Sequence, residues 1–337
     1  MFQRIWAIFH ARNLESIRDR SSLTWNLVFP IALLVGFSLF FSGRGNVQYH
    51  IGIIDSPAAA ATEPGWKALW ETPYLSFSHY PDLAQAQSHL VRHQLDLVVA
   101  PAQQKYWMNP KSPSSFMAEK MLKAVVPLQL HKAQLSAAPI PYVDWFLPGV
   151  LGMNVMFSGL WGVGYAIVRY RKNGVLKRLS ATPVRPIEFL IAQVLSRLLL
   201  IMGITCVLFV VCSLILHLTM RGNVVLLFGI FVLGAASMIS LGLLIACRSQ
   251  SEELTSGLVN LISWPMMFLS QVWFSLEGAP HWLKWLADLL PLTQVIRAAR
   301  QEMLYGGMQL SDWLGLLYVL VFTIVCLGIG AWRFRWR

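Results

Sequence analysis

A chain of 337 residues that is 56% apolar and only 13% charged, with a mean hydropathy of +0.54, has too few polar residues to cover a soluble globule. Its long apolar runs read instead as several membrane spans. The formal net charge of +11 does not point to nucleic acid, because the Lys and Arg residues gather in loops beside the apolar runs, where they set topology and meet anionic lipid head groups.

Residues 1–22 are predicted to form an amphipathic helix in the membrane interface. Phe2, Ile5, Trp6 and Phe9 lie on one face, and Arg4, Arg12, Arg18 and Arg20 remain in water or among head groups. The polar lead and the apolar run behind it are both too long for a signal peptide, so a retained first span is expected at 23–41. It contains Pro30, which frees a backbone carbonyl and calls for a kink or close packing.

Residues 42–141 form a polar insertion with eight Lys/Arg and six Asp/Glu. Tyr49–Asp55 and Leu95–Ala100 are short apolar runs that read as buried strands, and Leu75–Tyr80 alternates like a further strand. Helical spacing covers 63–71 and 82–93, the second with Asp82 as a cap, and a longer helix covers 112–132 with Pro127 interrupting it. Strands alternating with helices imply a small α/β domain.

The second span, 142–168, carries Gly149, Gly152, Gly159, Gly162 and Gly164, which favour close helix–helix approach in the interior or at a subunit contact. A basic island follows at 169–188, with six Lys/Arg against the single carboxylate Glu188. A short loop this basic belongs on the cytoplasmic side and orients the whole chain. Within it Val175, Leu176 and Leu179 share one face of a short helix while Lys177 and Arg178 point elsewhere, and Thr182-Pro183 ends it.

The third span, 189–217, exceeds what a bilayer needs, so its first turns are expected below the membrane with Arg197 snorkelling. A tight outer loop leads to the fourth span at 224–246, and a short inner loop to a fifth at 254–276, broken by Trp264-Pro265. Residues 277–312 read as two short amphipathic helices dipping into the outer leaflet, built on Trp282, Leu283, Trp285, Leu286, Leu289 and Leu290. The sixth span is 313–332, with a basic tail at 333–337. Both termini are then inside. Fourteen Lys/Arg fall in the inner segments, against four in the outer loops other than the insertion. The four cysteines, Cys206, Cys212, Cys247 and Cys326, lie in or at the ends of spans without CxxC or metal-type spacing, and read as buried, inert thiols.

The sequence contains no G-x-x-x-x-G-K-[ST] phosphate loop, no HExxH and no Ser/His/Asp or paired-carboxylate set on one plausible face, so no catalytic, cofactor or metal site is assigned to this chain. The spans also lack a central carboxylate of the kind that ion-coupled carriers place at the midplane.

Three stretches resemble the ABC-2 type transporter permease family, the membrane subunit of bacterial ABC exporters. Ile17-Arg18-Asp19-Arg20 leads into a span with Pro30. Gly174-Val-Leu-Lys-Arg-Leu-Ser-Ala-Thr-Pro-Val184, running on to Glu188-Phe189-Leu190, is similar to the family's pattern between its second and third spans. Phe274-Ser-Leu-Glu-Gly-Ala-Pro280, His281-Trp-Leu-Lys-Trp-Leu286, Asp288-Leu-Leu-Pro-Leu-Thr293 and Ile296-Arg-Ala-Ala-Arg300 resemble its outer re-entrant segment.

The resemblance implies an α-helical polytopic membrane protein of six spans, with an extracytoplasmic α/β domain between the first two. It implies a bacterial inner-membrane exporter subunit that moves an amphiphilic or hydrophobic substrate and is not itself an enzyme. The expected partners are ABC ATPase subunits, which would hold the ATP and Mg, a second permease copy or paralogue, and membrane lipids. Gly174, Leu176, Lys177, Arg178, Leu179, Thr182, Pro183 and Glu188 would form the coupling helix and its surround, with Arg18 and Asp19 on the bracing N-terminal helix. Pro280, Trp282, Trp285, Pro291, Arg297 and Arg300 would form an outer gate. Trp264, Met267 and Phe268 are weaker candidates for a substrate path, against simple packing. A membrane-anchored sensor or assembly protein with an extracytoplasmic ligand-binding domain is the alternative reading.

Overall fold

In a computed structural model of the chain, the described residues are 2–18, 24, 27–28, 30–31, 49–54, 66, 69–70, 72, 75–91, 94–110, 112–126, 130–133, 142–216, 220–248, 251–273, 276 and 279–334. Two compact units result. One comprises Met1–Leu34, Leu147–Trp273 and Trp285–Arg337, and the other Val35–Phe146 with Phe274–Lys284.

The second unit is built on a five-stranded sheet of β1 (Tyr49–Ile54), β2 (Leu75–Tyr80), β3 (Leu97–Ala100), β4 (Lys105–Met108) and β5 (His131–Lys132), in the order β2-β1-β3-β4-β5. β1 runs parallel to β2 and β3, pairing Ile51 with Phe77 and with Leu97, and β4 returns antiparallel, pairing Met108 with Leu97. Among the helices described in full, α2 (Leu83–Val91) and α3 (Pro113–Val125) cover it, α3 opening at Ser112, whose Oγ accepts the Ser115 N–H. Successive strand residues point to opposite faces. Ile51, Leu97, Val99, Tyr106 and Met108 accordingly pack with Ala118 and Leu122 of α3, while Ile54, Val98, Ala100 and Trp107 pack with Ala86 and Leu90 of α2. Burial on both faces explains why β1 and β3 read as unbroken apolar runs.

β4 and β5 were not expected from the sequence; Lys105–Met108 is too short to show a period. Helix α2 starts where Asp82 accepts the Ala84 N–H at 3.2 Å, as its cap position predicts. The helix expected at 112–132 ends at Val125, before Pro127. Of the helix expected at 63–71, only residues 66, 69 and 70 are described, and all three are helical.

The other unit begins with α1 (Phe2–Arg18) and then contains α4 (Tyr142–Lys172, from Leu147), α5 (Val175–Ser180), α6 (Pro186–Leu216), α7 (Val224–Arg248) and α8 (Glu252–Leu269). Helix α9 (His281–Asp288) precedes α10 (Pro291–Tyr305) and α11 (Leu310–Arg333). Among the described residues, four helical stretches are long and apolar enough to cross a membrane: Asp144–Lys172, Pro186–Leu214, Val224–Cys247 and Leu310–Arg333. The span expected at 23–41 lies almost wholly outside the described residues, as do Asp19 and the tail residues 335–337.

The stretch expected as a broken span at 254–276 has other bounds and no break at Pro265. Helix α8 continues through Pro265 and stops at Leu269, and its first turn carries Glu252 and Glu253. It ends because Gln271 adopts a left-handed backbone (φ 55°), and the Arg300 side chain holds the Gln271 carbonyl at 3.0 Å. Proline has no N–H to donate, yet it is tolerated within a membrane helix when neighbours satisfy the freed carbonyl.

Helix α4 is the interior helix that its glycines predict, with 83% of its apolar window buried. A Cβ on Gly159 would stand 2.6 Å from Met238, and one on Gly242 would stand 2.8 Å from the Leu160 carbonyl oxygen, so α4 and α7 approach backbone to backbone. The two helices expected within 277–312 are present, but α10 does not lie free in a leaflet. Leu292, Val295, Ile296, Ala299 and Met303 are buried, and α10 packs on α7 and α11. Of the cysteines, Cys212 and Cys326 are buried, Cys247 is half-buried and Cys206 is exposed, so burial of all four thiols does not hold.

Candidate functional site

The basic island folds into a tight turn, a short helix and a second turn between α4 and α6. Helix α4 closes where the Gly174 N–H donates to the Arg171 carbonyl at 3.2 Å. Gly174 has φ 66°, and a Cβ there would meet nothing within 4 Å, so the backbone conformation, not space, requires glycine. Leu176 then turns inward and is fully buried, Leu179 is half-buried, and Lys177 and Arg178 are exposed. After α5 the Thr182 hydroxyl donates to the Leu179 carbonyl at 2.6 Å, which, with Pro183, prevents the helix from continuing.

Sequence reasoning put Leu176 and Leu179 together on a face offered to a partner. The structure instead commits Leu176 to the chain's own interior. The outward surface consists of Lys177, Arg178, Ser180, Ala181, Thr182 and Pro183, with the edge of Leu179.

Glu188 is 2% exposed and accepts the Arg185 N–H at 2.9 Å. A carboxylate there complements the N-terminus of α6. Arg4 reaches across from α1, donating to the Pro183 carbonyl at 2.5 Å and lying 3.9 Å from the Glu188 carboxylate. Further along α1, Arg12 donates to the Tyr170 hydroxyl at 2.7 Å and pairs with Glu15 at 2.8 Å, while Tyr170 donates to Glu15. Ser196 of α6 donates to the Asn13 side chain at 2.6 Å. Burial alone would raise the Glu15 carboxyl, but the Tyr170 hydroxyl and the Arg12 guanidinium outweigh it and hold it below the usual carboxylate range. Helix α1 is thus tied by Ile5, Ile8, Phe9, Arg12, Asn13 and Ser16, one helical face, and leaves Phe2, Trp6, Leu14 and Ile17 exposed.

On the other side Glu252, at the start of α8, accepts the Tyr165 hydroxyl at 3.0 Å and lies 3.8 Å from Lys172, and Arg171 donates to the Ala246 carbonyl at 3.2 Å. Helices α1, α7 and α8 are therefore all bonded to the last turns of α4 or the first turns of α6. Arg4, Arg12, Asn13, Glu15, Tyr165, Tyr170 and Glu252 were missed by sequence reasoning. Their partners are up to 179 residues apart, and no local spacing signals such pairs. Arg18 is exposed, and Asp19 lies outside the described residues.

The chain belongs to the ABC-2 transporter family. The profile described as ABC-2 family transporter protein matches residues 20–332. The chain is 27% identical over 191 residues to ABC transporter G family member 20 of Dictyostelium discoideum, an alignment covering 56% of this chain and 26% of that protein. It is 27% identical over 172 residues to the inner membrane transport permease YhhJ of Escherichia coli, covering 48% of this chain and 44% of YhhJ. It is 19% identical over 361 aligned positions to the probable multidrug ABC transporter permease YbhS of the same organism, covering 97% of this chain and 96% of YbhS. The chain thus spans about a quarter of the Dictyostelium protein and under half of YhhJ, but nearly all of YbhS.

The remaining sequence-predicted residues of this ABC-2 chain fall into two groups. Pro291 opens α10 and is buried, Arg297 pairs with Asp288, and Arg300 holds the Gln271 carbonyl. Trp282 and Trp285 stand exposed at 66% and 67%, and the Pro280 carbonyl accepts the Leu283 N–H as α9 starts. On α8, Trp264 and Phe268 stack at 6.3 Å on the exposed face, whereas Met266 and Met267 are buried, so the suggested substrate-path residues do not share one surface. Among the described residues no group of three His, Cys, Asp or Glu could hold a metal ion.

Proposed function

We propose that this chain is the membrane-spanning permease subunit of an ATP-driven exporter. It works with a second permease copy or paralogue, and is energised by separate ABC ATPase subunits that bind the ATP and Mg. In this reading the chain lies in a bacterial inner membrane with both termini in the cytoplasm. It moves an amphiphilic or hydrophobic substrate outward.

The observation that carries the proposal is the exposed tip of the island. Lys177 and Arg178 on a short helix, with Thr182 and Pro183 in the turn after it, project from a root fixed by buried Leu176 and buried Glu188. A protruding charged tip on a rigid root suits a lever, since a push on it reaches α4 and α6 without dissipating in a soft loop. The exposed cations steer an acidic partner surface, and the polar network to α1 and α8 spreads the displacement. The match to YbhS along nearly the whole chain supports the same reading.

The test is co-purification from the native host with a C-terminal tag. A roughly stoichiometric ATPase subunit is expected to accompany wild type and to be lost with Lys177→Glu combined with Arg178→Glu. Leu176 is left intact, because replacing a buried leucine would damage the fold and mimic loss of docking. Retention of the ATPase by the charge-reversed variant would refute the docking site. Recovery of the wild-type chain without any ATPase would refute the exporter reading and favour a membrane-anchored sensor.

A further inference from the structure

Arg197 was expected to snorkel out of the third span. It does the opposite. On α6 its guanidinium crosses to α4, where Nε donates to the Ser158 carbonyl at 2.8 Å. Gly162 makes this possible: a Cβ there would fall 1.8 Å from Arg197 Nε and 2.0 Å from Cζ, so the guanidinium occupies the space a side chain would need. The terminal nitrogens make no hydrogen bond to a described residue, and no carboxylate among the described residues pairs with Arg197. Arg12 of α1 is itself committed to Glu15 and Tyr170.

Its depth is set by its neighbours. Ser196 bonds Asn13 of α1, whose Phe2, Trp6, Leu14 and Ile17 stand exposed as an interfacial helix requires. Beyond Arg197, residues 198–216 of α6 contain no charged side chain. Arg197 therefore sits at the inner edge of the apolar region, level with the phosphates of the cytoplasmic leaflet. The residue is half-buried, with part of its side chain open on the flank of α6, the direction from which a head group would approach.

A guanidinium held at this depth with no counter-charge among the described residues is expensive, and its planar fork matches a phosphate in two parallel hydrogen bonds. We propose that Arg197, seated in the Gly162 slot between α4 and α6, is a binding site for the phosphate of an anionic phospholipid in the cytoplasmic leaflet. The bound phosphate would neutralise the charge and pin α6 to α4 close to where α1 is tied.

The experiment measures thermal unfolding of the full-length chain in detergent, with added phosphatidylglycerol or phosphatidylcholine micelles at matched concentration. Phosphatidylglycerol should raise the wild-type midpoint by about 2–4 °C more than phosphatidylcholine does. That excess should vanish in Arg197→Gln and in Gly162→Ala, which evicts the guanidinium. Should either variant fail to fold, Arg197→Lys keeps the charge without the fork and should retain less than half of the excess. Equal shifts with the two lipids in wild type would overturn the proposal, as would a full excess in Arg197→Gln. Reproduction of the whole excess by inorganic phosphate alone would also overturn it, in favour of a soluble-anion site.

Discussion

Replacing Gly242 with alanine tests whether the interior of the helical unit is fixed by backbone contact. The added Cβ would lie 2.8 Å from the Leu160 carbonyl oxygen and 3.2 Å from that of Gly159. Both are main-chain atoms of α4, so no side chain can swing aside. The two helices must separate locally, and overpacking of this kind costs roughly 1–3 kcal/mol. Against that, alanine is favoured over glycine within a helix by up to about 1 kcal/mol. Gly203 supplies the control. It lies on the exposed side of α6, and a Cβ added there would meet nothing within 4 Å, so Gly203→Ala keeps the helical gain without the collision. The helical gain is common to both, so the two variants should differ by the collision alone, about 1–3 kcal/mol, with Gly242→Ala below wild type and Gly203→Ala at or above it. Thermal inactivation at one scan rate in one detergent ranks them even if unfolding is irreversible. A Gly242→Ala chain as stable as wild type, or a Gly203→Ala chain that falls as far, would refute the backbone-contact account.

Three further outcomes follow from the same structure. Leu122→Ala should destabilise the sheet unit by about 2–5 kcal/mol, whereas Phe116→Ala on the exposed side of α3 should stay within about 0.5 kcal/mol; urea-dependent proteolysis between residues 49 and 133 separates them. Asp96 is half-buried, and its desolvation raises the carboxyl although Ser114 and the His50 N–H oppose the shift. Its stabilising contribution is then present in full below the ordinary carboxyl value of about 3.9 and is lost as pH rises through the raised folded value, a slope that Asp96→Asn should abolish in the same proteolysis assay. Tyr170→Phe removes the hydroxyl shared by Arg12 and Glu15, at a cost of about 1–3 kcal/mol; combined with Ser196→Ala it should expose α1 to proteases, and unchanged cleavage within residues 2–18 would show that burial alone retains that helix.

Much of the fold is legible in the sequence because the membrane simplifies the problem. A span must satisfy its own backbone hydrogen bonds, so apolar length and flanking charge locate α4, α6, α7 and α11 directly. The glycines of α4 announce an interior helix, and Gly174 with Thr182-Pro183 delimits the island's short helix. Where local signals compete, the sequence misleads. Trp264-Pro265 has the look of a break, yet α8 runs on and ends before Gln271, whose carbonyl is held by Arg300 from another helix.

The candidate site divides in the same way. Residue types and spacing alone determine that the island is basic, helical and abruptly ended, because those properties depend on neighbours in the chain. Which of its leucines faces outward depends on the packing of α4 and α6 around Leu176. Whether Arg4 reaches the buried Glu188, and whether Arg12 meets Tyr170 at the end of α4, depends on where α1 lies. Arg197 is the sharpest case. By itself its position on α6 favours snorkelling, but the absence of a side chain on Gly162, on another helix, opens a nearer acceptor in the Ser158 carbonyl. Local sequence sets the length and polarity of each helix; only tertiary packing decides which polar groups can reach one another, since a hydrogen bond depends on distances that no spacing along a single helix encodes.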